Sequence, residues 1–161
     1  MTDAEFQKLV RNDLYQTFLF TCFATVPFCF ARHPWFVVNK KGKLSRWEIF
    51  WEPGRGPLSW QHLHRDFHPL AQGIEMFFYS DKHFFPSRLE GYIEGSDGSL
   101  AARMAEHIEH SPQAYPYNTR YSLTAPNSIT YVQSILDAFP ECNLHLPWNC
   151  YTWAFGVKLS G

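Results

Sequence analysis

"HPWFVVNKKGKLSRWEIFWEPG", residues 33–54, holds two runs of β-branched and aromatic residues on either side of "NKKGKLS". Gly42 in that connector suits a hairpin turn, because glycine adopts positive φ without steric cost. The stretch predicts strands near 34–39 and 46–52. The preceding "TFLFTCFAT", residues 17–25, predicts a third. A chain that begins its ordered part with a hairpin and a neighbouring strand builds an antiparallel sheet.

Helical periodicity lies outside this strand-rich part. Phe6, Leu9, Val10 and Leu14 recur at helical spacing and predict a leading helix within residues 3–15. "GIEMFFYS" (73–80) and "RLEGYIEG" (88–95) suit further strands, within and after a Pro-, Gly- and His-rich middle over 53–87 that gives no clear assignment. "SDGSLAARMAEHIEHSPQ" (96–113) opens with capping residues and puts Leu100, Ala102, Met104, Ala105 and Ile108 on one side. "NTRYSLTAP" (118–126) suits a strand or an extended segment. It leads into a second helix with Ile129, Val132, Ile135, Leu136 and Phe139 on its apolar face, ended by Pro140. Strands in the middle with helices at both ends predict an α+β fold, an antiparallel sheet with packed helices.

The 161 residues are expected to form one domain, 1–161, large enough for a hydrophobic core. Fifteen Phe, eight Tyr and six Trp either thicken that core or line a ligand groove. A net charge of -1 and fourteen basic residues with no run longer than Lys40-Lys41 argue against a nucleic-acid partner. The apolar run "FLFTCFATVPFCF" (18–30) falls short of the roughly 20 residues of a spanning helix and contains Pro27, so buried strands are expected rather than a transmembrane segment. The acidic start, Asp3 and Glu5, does not suit a secretory leader, though a cleaved leader stays an alternative. Four cysteines without a C-x-x-C pair or a disulfide-rich pattern suit a reducing, cytoplasmic compartment. Oligomeric state is not legible.

Two turns present a nucleophile beside asparagine: Asn127-Ser128 and Asn149-Cys150. Ser128 follows Pro126 where apolar periodicity begins. Asparagine and serine there are ordinary helix caps. The same place also favours a nucleophile, because a helix N-terminus stabilises developing negative charge. Cys150 is the better intrinsic nucleophile, but free cysteines among aromatics are most often inert. His33, at the start of a strand, is placed as a general base or as a merely structural imidazole. Glu48, on the next strand, either orients that imidazole as a triad's third member does or faces solvent. "QHLHRDFH" brings His62, His64 and His68 together, which suggests a zinc-dependent hydrolase or an unmetallated loop. No metal and no cofactor is required by the acyl-transfer alternative.

The order of these residues resembles the circularly permuted papain-like fold of lecithin-retinol acyltransferase relatives and cell-wall amidases. In those proteins a histidine strand comes first and an "N-C-E-H-F"-type turn carries the cysteine later. "HPWFVV" matches the histidine strand and "NSITYV" the nucleophile turn, with Ser128 in the cysteine's place. A closer resemblance is to a mainly bacterial family of unknown function with H-x-W, Y-P-Y, a following Tyr, G-P-N-S-N-T-F and a late L-P. The chain has His33-Pro34-Trp35, Tyr115-Pro116-Tyr117, Tyr121, Pro126-Asn127-Ser128, Thr130-Tyr131 and Leu146-Pro147. Ala125, Ile129 and Tyr131 depart from the pattern. The resemblance implies a hydrolase or acyltransferase of an amide or ester. His33 would be its base, Ser128 its nucleophile and Glu48 its orienting group. Asn127, Tyr117, Tyr121 and Trp35 would contact a small-molecule, peptide or lipid ligand. The alternative is a non-catalytic peptide-, glycan- or lipid-binding module on the same fold.

Overall fold

The computed structural model describes residues 1–54 and 56–150. Strands β1 (Tyr15–Phe23), β2 (Arg32–Lys40), β3 (Lys43–Gly54), β4 (Ser59–Arg65) and β5 (Arg88–Gly95) form one sheet in the order β4-β3-β2-β1-β5. Every pairing is antiparallel. The helices are α1 (Asp3–Gln7), α2 (Leu100–Glu109), α3 (Ser111–Ala114) and α4 (Ser128–Ala138). The fold is α+β, an antiparallel sheet with packed helices. Among the described residues no helix is long and apolar enough to cross a membrane.

The β2–β3 hairpin closes through Lys41 and Gly42, both at positive φ (53° and 90°), the handedness that matches strand twist in a two-residue turn. Alternation along the strands then sorts side chains between two faces. On one face Leu19, Phe36, Val38, Trp47, Ile49 and Leu63 pack against Met104 and Ile108 of α2 and Val132 and Ile135 of α4. On the other, Phe18, Phe20, Trp35, Val37 and Phe50 pack against Phe6 of α1 and against Ala71 and Ile74 of the β4–β5 connection.

Three segments differ from expectation. The leading helix stops at Gln7 instead of running toward residue 15. Buried Gln16 and Asn39 capture the backbone that would have extended it: Gln16 Nε2 donates to Leu9 O (2.9 Å) and Asn39 Nδ2 to Arg11 O (2.9 Å). Residues 73–80 form only isolated bridges, Glu75 to Phe84 and Val26 to Phe77. Residues 118–126 are a loop rather than a strand. The His62 N–H donates to Asn118 O, but Ser122 N–H turns back to Pro126 O and so folds the segment onto the start of α4.

Candidate functional site

The buried groups that hold His33 come from β2, β3 and the chain after β4. His33 is 4% exposed and its Nε2 lies 2.9 Å from Glu48 Oε2, so the strand-to-strand contact between this pair is made. Glu48 is wholly buried, not solvent-facing. Arg46, two residues earlier and therefore on the same face, donates from Nη2 to Glu48 Oε2 (2.8 Å). Its Nε is 2.8 Å from Oε1 as an ion pair without hydrogen-bond alignment. Arg46 is itself clamped: Nη1 donates to the carbonyls of Pro69 and Gln72, and the guanidinium lies 4.1 Å from the Trp35 ring centre. His68 completes the cluster, with Nδ1 2.8 Å from Glu48 Oε1 and Nε2 3.1 Å from Glu75 Oε2.

These contacts fix the charges. Burial alone would raise the Glu48 pKa, but Arg46, His68 and His33 overcome it and hold the carboxyl well below its usual range. Burial lowers the His33 pKa, and Glu48 offsets only part of that, so the ring is neutral at neutral pH. A neutral His33 facing a carboxylate carries its proton on Nε2 and donates it to Glu48. Its Nδ1 then bears the lone pair.

Ser128 opens α4, and Asn127 caps the helix. Asn127 Oδ1 accepts from the Ile129 and Thr130 N–H groups, while Thr130 Oγ1 accepts from the Asn127 N–H. Asn127 Nδ2 is spent as well, donating to Ser122 O and Leu123 O. The Asn127 amide is therefore engaged in a structural cap, while the residue borders the same cavity as Ser128. Ser128 differs. It is 5% exposed, yet among the described residues neither its hydroxyl nor its backbone N–H has a hydrogen-bond partner. Both His33 and Ser128 border one cavity of about 460 Å³, walled mainly by aromatic and aliphatic groups such as Phe28, Phe50, Phe78 and Ile74. The His33 ring leaves the sheet on the Trp35 side, whereas α4 packs on the opposite side, so the cavity is what the two share. No hydrogen bond joins them.

The remaining expected contacts divide. Tyr121 borders the cavity beside His62, ring centres 5.6 Å apart, and burial pushes its phenol up to about 12. Tyr117 instead borders a separate cleft with Tyr115 and Tyr131. Trp35 is fully buried, stacked on Phe20 with its indole N–H on Leu70 O, so it supports the site from behind rather than meeting a ligand. Burial pushes the Cys150 thiol up to about 12, which keeps it protonated at neutral pH.

His62, His64 and His68 do not converge. His62 Nδ1 faces Phe50 O, His64 bonds Ser59 Oγ and Glu52 O, and His68 is held by two carboxylates. Among the described residues no group of three or more His, Cys, Asp or Glu is arranged to hold a metal ion.

Sequence reasoning missed Arg46 and His68 beside Glu48, and Glu75 behind His68, as parts of the cluster that holds His33. Arg46 was legible, since two residues at i and i+2 on a strand share a face. His68 and Glu75 lie in the irregular middle, where no periodicity says which way a side chain points. Comparison with curated proteins and with solved structures yields no match. The family model described as protein of unknown function (DUF3750) matches residues 18–155, and the chain belongs to that family.

Proposed function

We propose that the protein transfers or hydrolyses an acyl group held as an ester or amide, with Ser128 as nucleophile, His33 as general base and Glu48 as the group that orients His33. The order of these residues in the chain is that of the permuted papain-like fold, which we propose as the finer description of the architecture. The observation that carries the reading is the shared cavity: a neutral imidazole with a free Nδ1 and an unbonded serine hydroxyl border the same apolar space.

In this mechanism the substrate carbonyl lies between the two. Nδ1 of His33 takes the Ser128 proton as Oγ bonds to the carbonyl carbon. The imidazolium that forms is stabilised by Glu48 across its 2.9 Å contact. The oxyanion lies at the Ser128 N–H and the positive end of the α4 dipole. When the tetrahedral adduct collapses, the leaving group departs with the proton from His33. Water or a second acceptor then releases the acyl group by the same steps in reverse. The aromatic walls suit the apolar part of the substrate.

A second reading, a binding module without turnover, is favoured by the missing hydrogen bond between His33 and Ser128. Catalytic contacts are often long before substrate binds, which is why the first reading is preferred. Hydrolysis of 4-nitrophenyl esters from butanoate to dodecanoate separates the two. Acyl transfer predicts turnover abolished by Ser128→Ala and lowered about 10²–10⁴-fold by His33→Ala. His62→Gln, on the same wall, should retain it. Saturable ester binding with no turnover beyond that of Ser128→Ala would leave the binding module. Loss in His62→Gln but not in His33→Ala would move the base's role to His62.

A further inference from the structure

Both ring nitrogens of His68 face carboxylates: Nδ1 is 2.8 Å from Glu48 Oε1, and Nε2 is 3.2 and 3.1 Å from the two oxygens of Glu75. A neutral imidazole has one N–H and one lone pair, so either tautomer would turn a lone pair onto an anionic oxygen. Only the doubly protonated ring satisfies both contacts. The side chain is 4% exposed, with the rings of Phe50 and Phe67 edge-on at 5.0 and 4.9 Å. The other titratable or charged groups around it are Arg46, His33 and His64. Glu75, 24% exposed, links this buried group to a second cleft that it lines together with Glu52 and Asp81.

We propose that His68 is a positioning residue of the site: held as an imidazolium between Glu48 and Glu75, it keeps Glu48 a carboxylate aimed at His33 and keeps His33 unprotonated until it receives the serine proton. The role rests on the reading of His33 as the base. Arg46 and His68 are cationic and Glu48 and Glu75 anionic, so the cluster behind His33 is neutral. A proton arriving on His33 from bulk solvent would add net charge to a buried site, which burial disfavours. With an uncharged side chain at position 68 the cluster becomes net anionic and attracts that proton. The same two cations on Glu48 make it a poor base, so the proton received from Ser128 stays on His33 and returns to the leaving group.

The test is a ¹⁵N NMR titration of the histidine rings in the full chain, read for wild type, His68→Gln and Glu75→Gln. In wild type His33 should be the Nε2–H tautomer at neutral pH and titrate below 6.5, and His68 should stay protonated to about 9. His68→Gln should raise the His33 midpoint by roughly one pH unit or more. Glu75→Gln, at a partly exposed position, should lower the His68 midpoint by a similar amount. An unmoved His33 midpoint in His68→Gln overturns the proposal. Should that variant not fold, an unmoved His68 midpoint in Glu75→Gln overturns it alone. These curves read proton occupancy rather than turnover. Shifts as described with an inert Ser128 remove acyl transfer and leave the control of His33 by His68 standing. A reactive Ser128 with an unmoved His33 curve removes only the role of His68.

Discussion

The two faces of the sheet are built from the same strands and pack in opposite ways. The face under α2 and α4 is a dry aliphatic and aromatic layer in which the Tyr131 hydroxyl meets the Ser111 hydroxyl at 2.9 Å. The face under α1 and the β4–β5 connection has its own apolar cluster, but Arg46, Glu48, His33 and His68 are buried at its edge. Buried ion pairs are often no more stable than apolar residues of the same volume, whereas removing one partner is costly. The first face is thus explained by folding alone. The second holds charge where folding does not need it, and that charge surrounds His33, an imidazole that lines the same cavity as Ser128.

The largest effect should follow from breaking the charged face. Glu48→Gln leaves Arg46 and His68 without their shared anion, and urea unfolding should show a loss of about 3–5 kcal/mol. A loss well under 1 kcal/mol would mean that the four groups do not depend on one another. On the dry face, Ile135→Ala removes packing against β2 and β3 and should cost about 2–5 kcal/mol. That loss should be equal at pH 6 and pH 9, because no titrating group is involved.

The pH dependence of wild type sharpens the contrast. His68 has a folded pKa raised from 6.5 to about 9, the outcome of burial lowering it and Glu48 and Glu75 raising it further. Its contribution is therefore complete below 6.5 and lost as pH rises through about 9. Glu48 and Glu75 have depressed folded values, so their contributions hold above the ordinary carboxylate range and are lost in acid. Thermal melts should fall between pH 6.5 and 9 in wild type, and that slope should flatten in His68→Gln. An equal slope in both would remove His68 as its source.

The smallest effects separate the two neighbours at the start of α4. Asn127→Ala deletes a cap with four side-chain bonds and should cost about 1 kcal/mol. Ser128→Ala removes a hydroxyl without a partner and should stay within about 0.5 kcal/mol. A reversed ranking would make Ser128 the structural residue of the pair.

How far the sequence foretells this follows from periodicity. The hairpin at Lys41-Gly42, β5 over 88–95 and the amphipathic α2 and α4 are legible because their apolar spacing and punctuation agree. The leading helix is overestimated because its continuation is lost to the side chains of Gln16, on the strand that follows, and Asn39, a strand further on. The His33–Glu48 contact follows from adjacent strands, and the start of α4 follows from its capping residues. The rest of the site does not. Which side chains 66–87 sends inward depends on where an irregular segment lands on the sheet, and residue type alone drew His68 toward a metal cluster. Trp35 and Tyr117 show the converse: aromatic residues inside a recognisable motif are there for packing as readily as for a ligand.

The most direct test is mass-spectrometric mapping of the adduct formed when the full chain is incubated with an alkyl fluorophosphonate at neutral pH. With Ser128 as nucleophile and His33 as base, a stoichiometric adduct forms on Ser128 and is much slower to form in His33→Ala. An unlabelled Ser128, or labelling indifferent to His33, would contradict those roles.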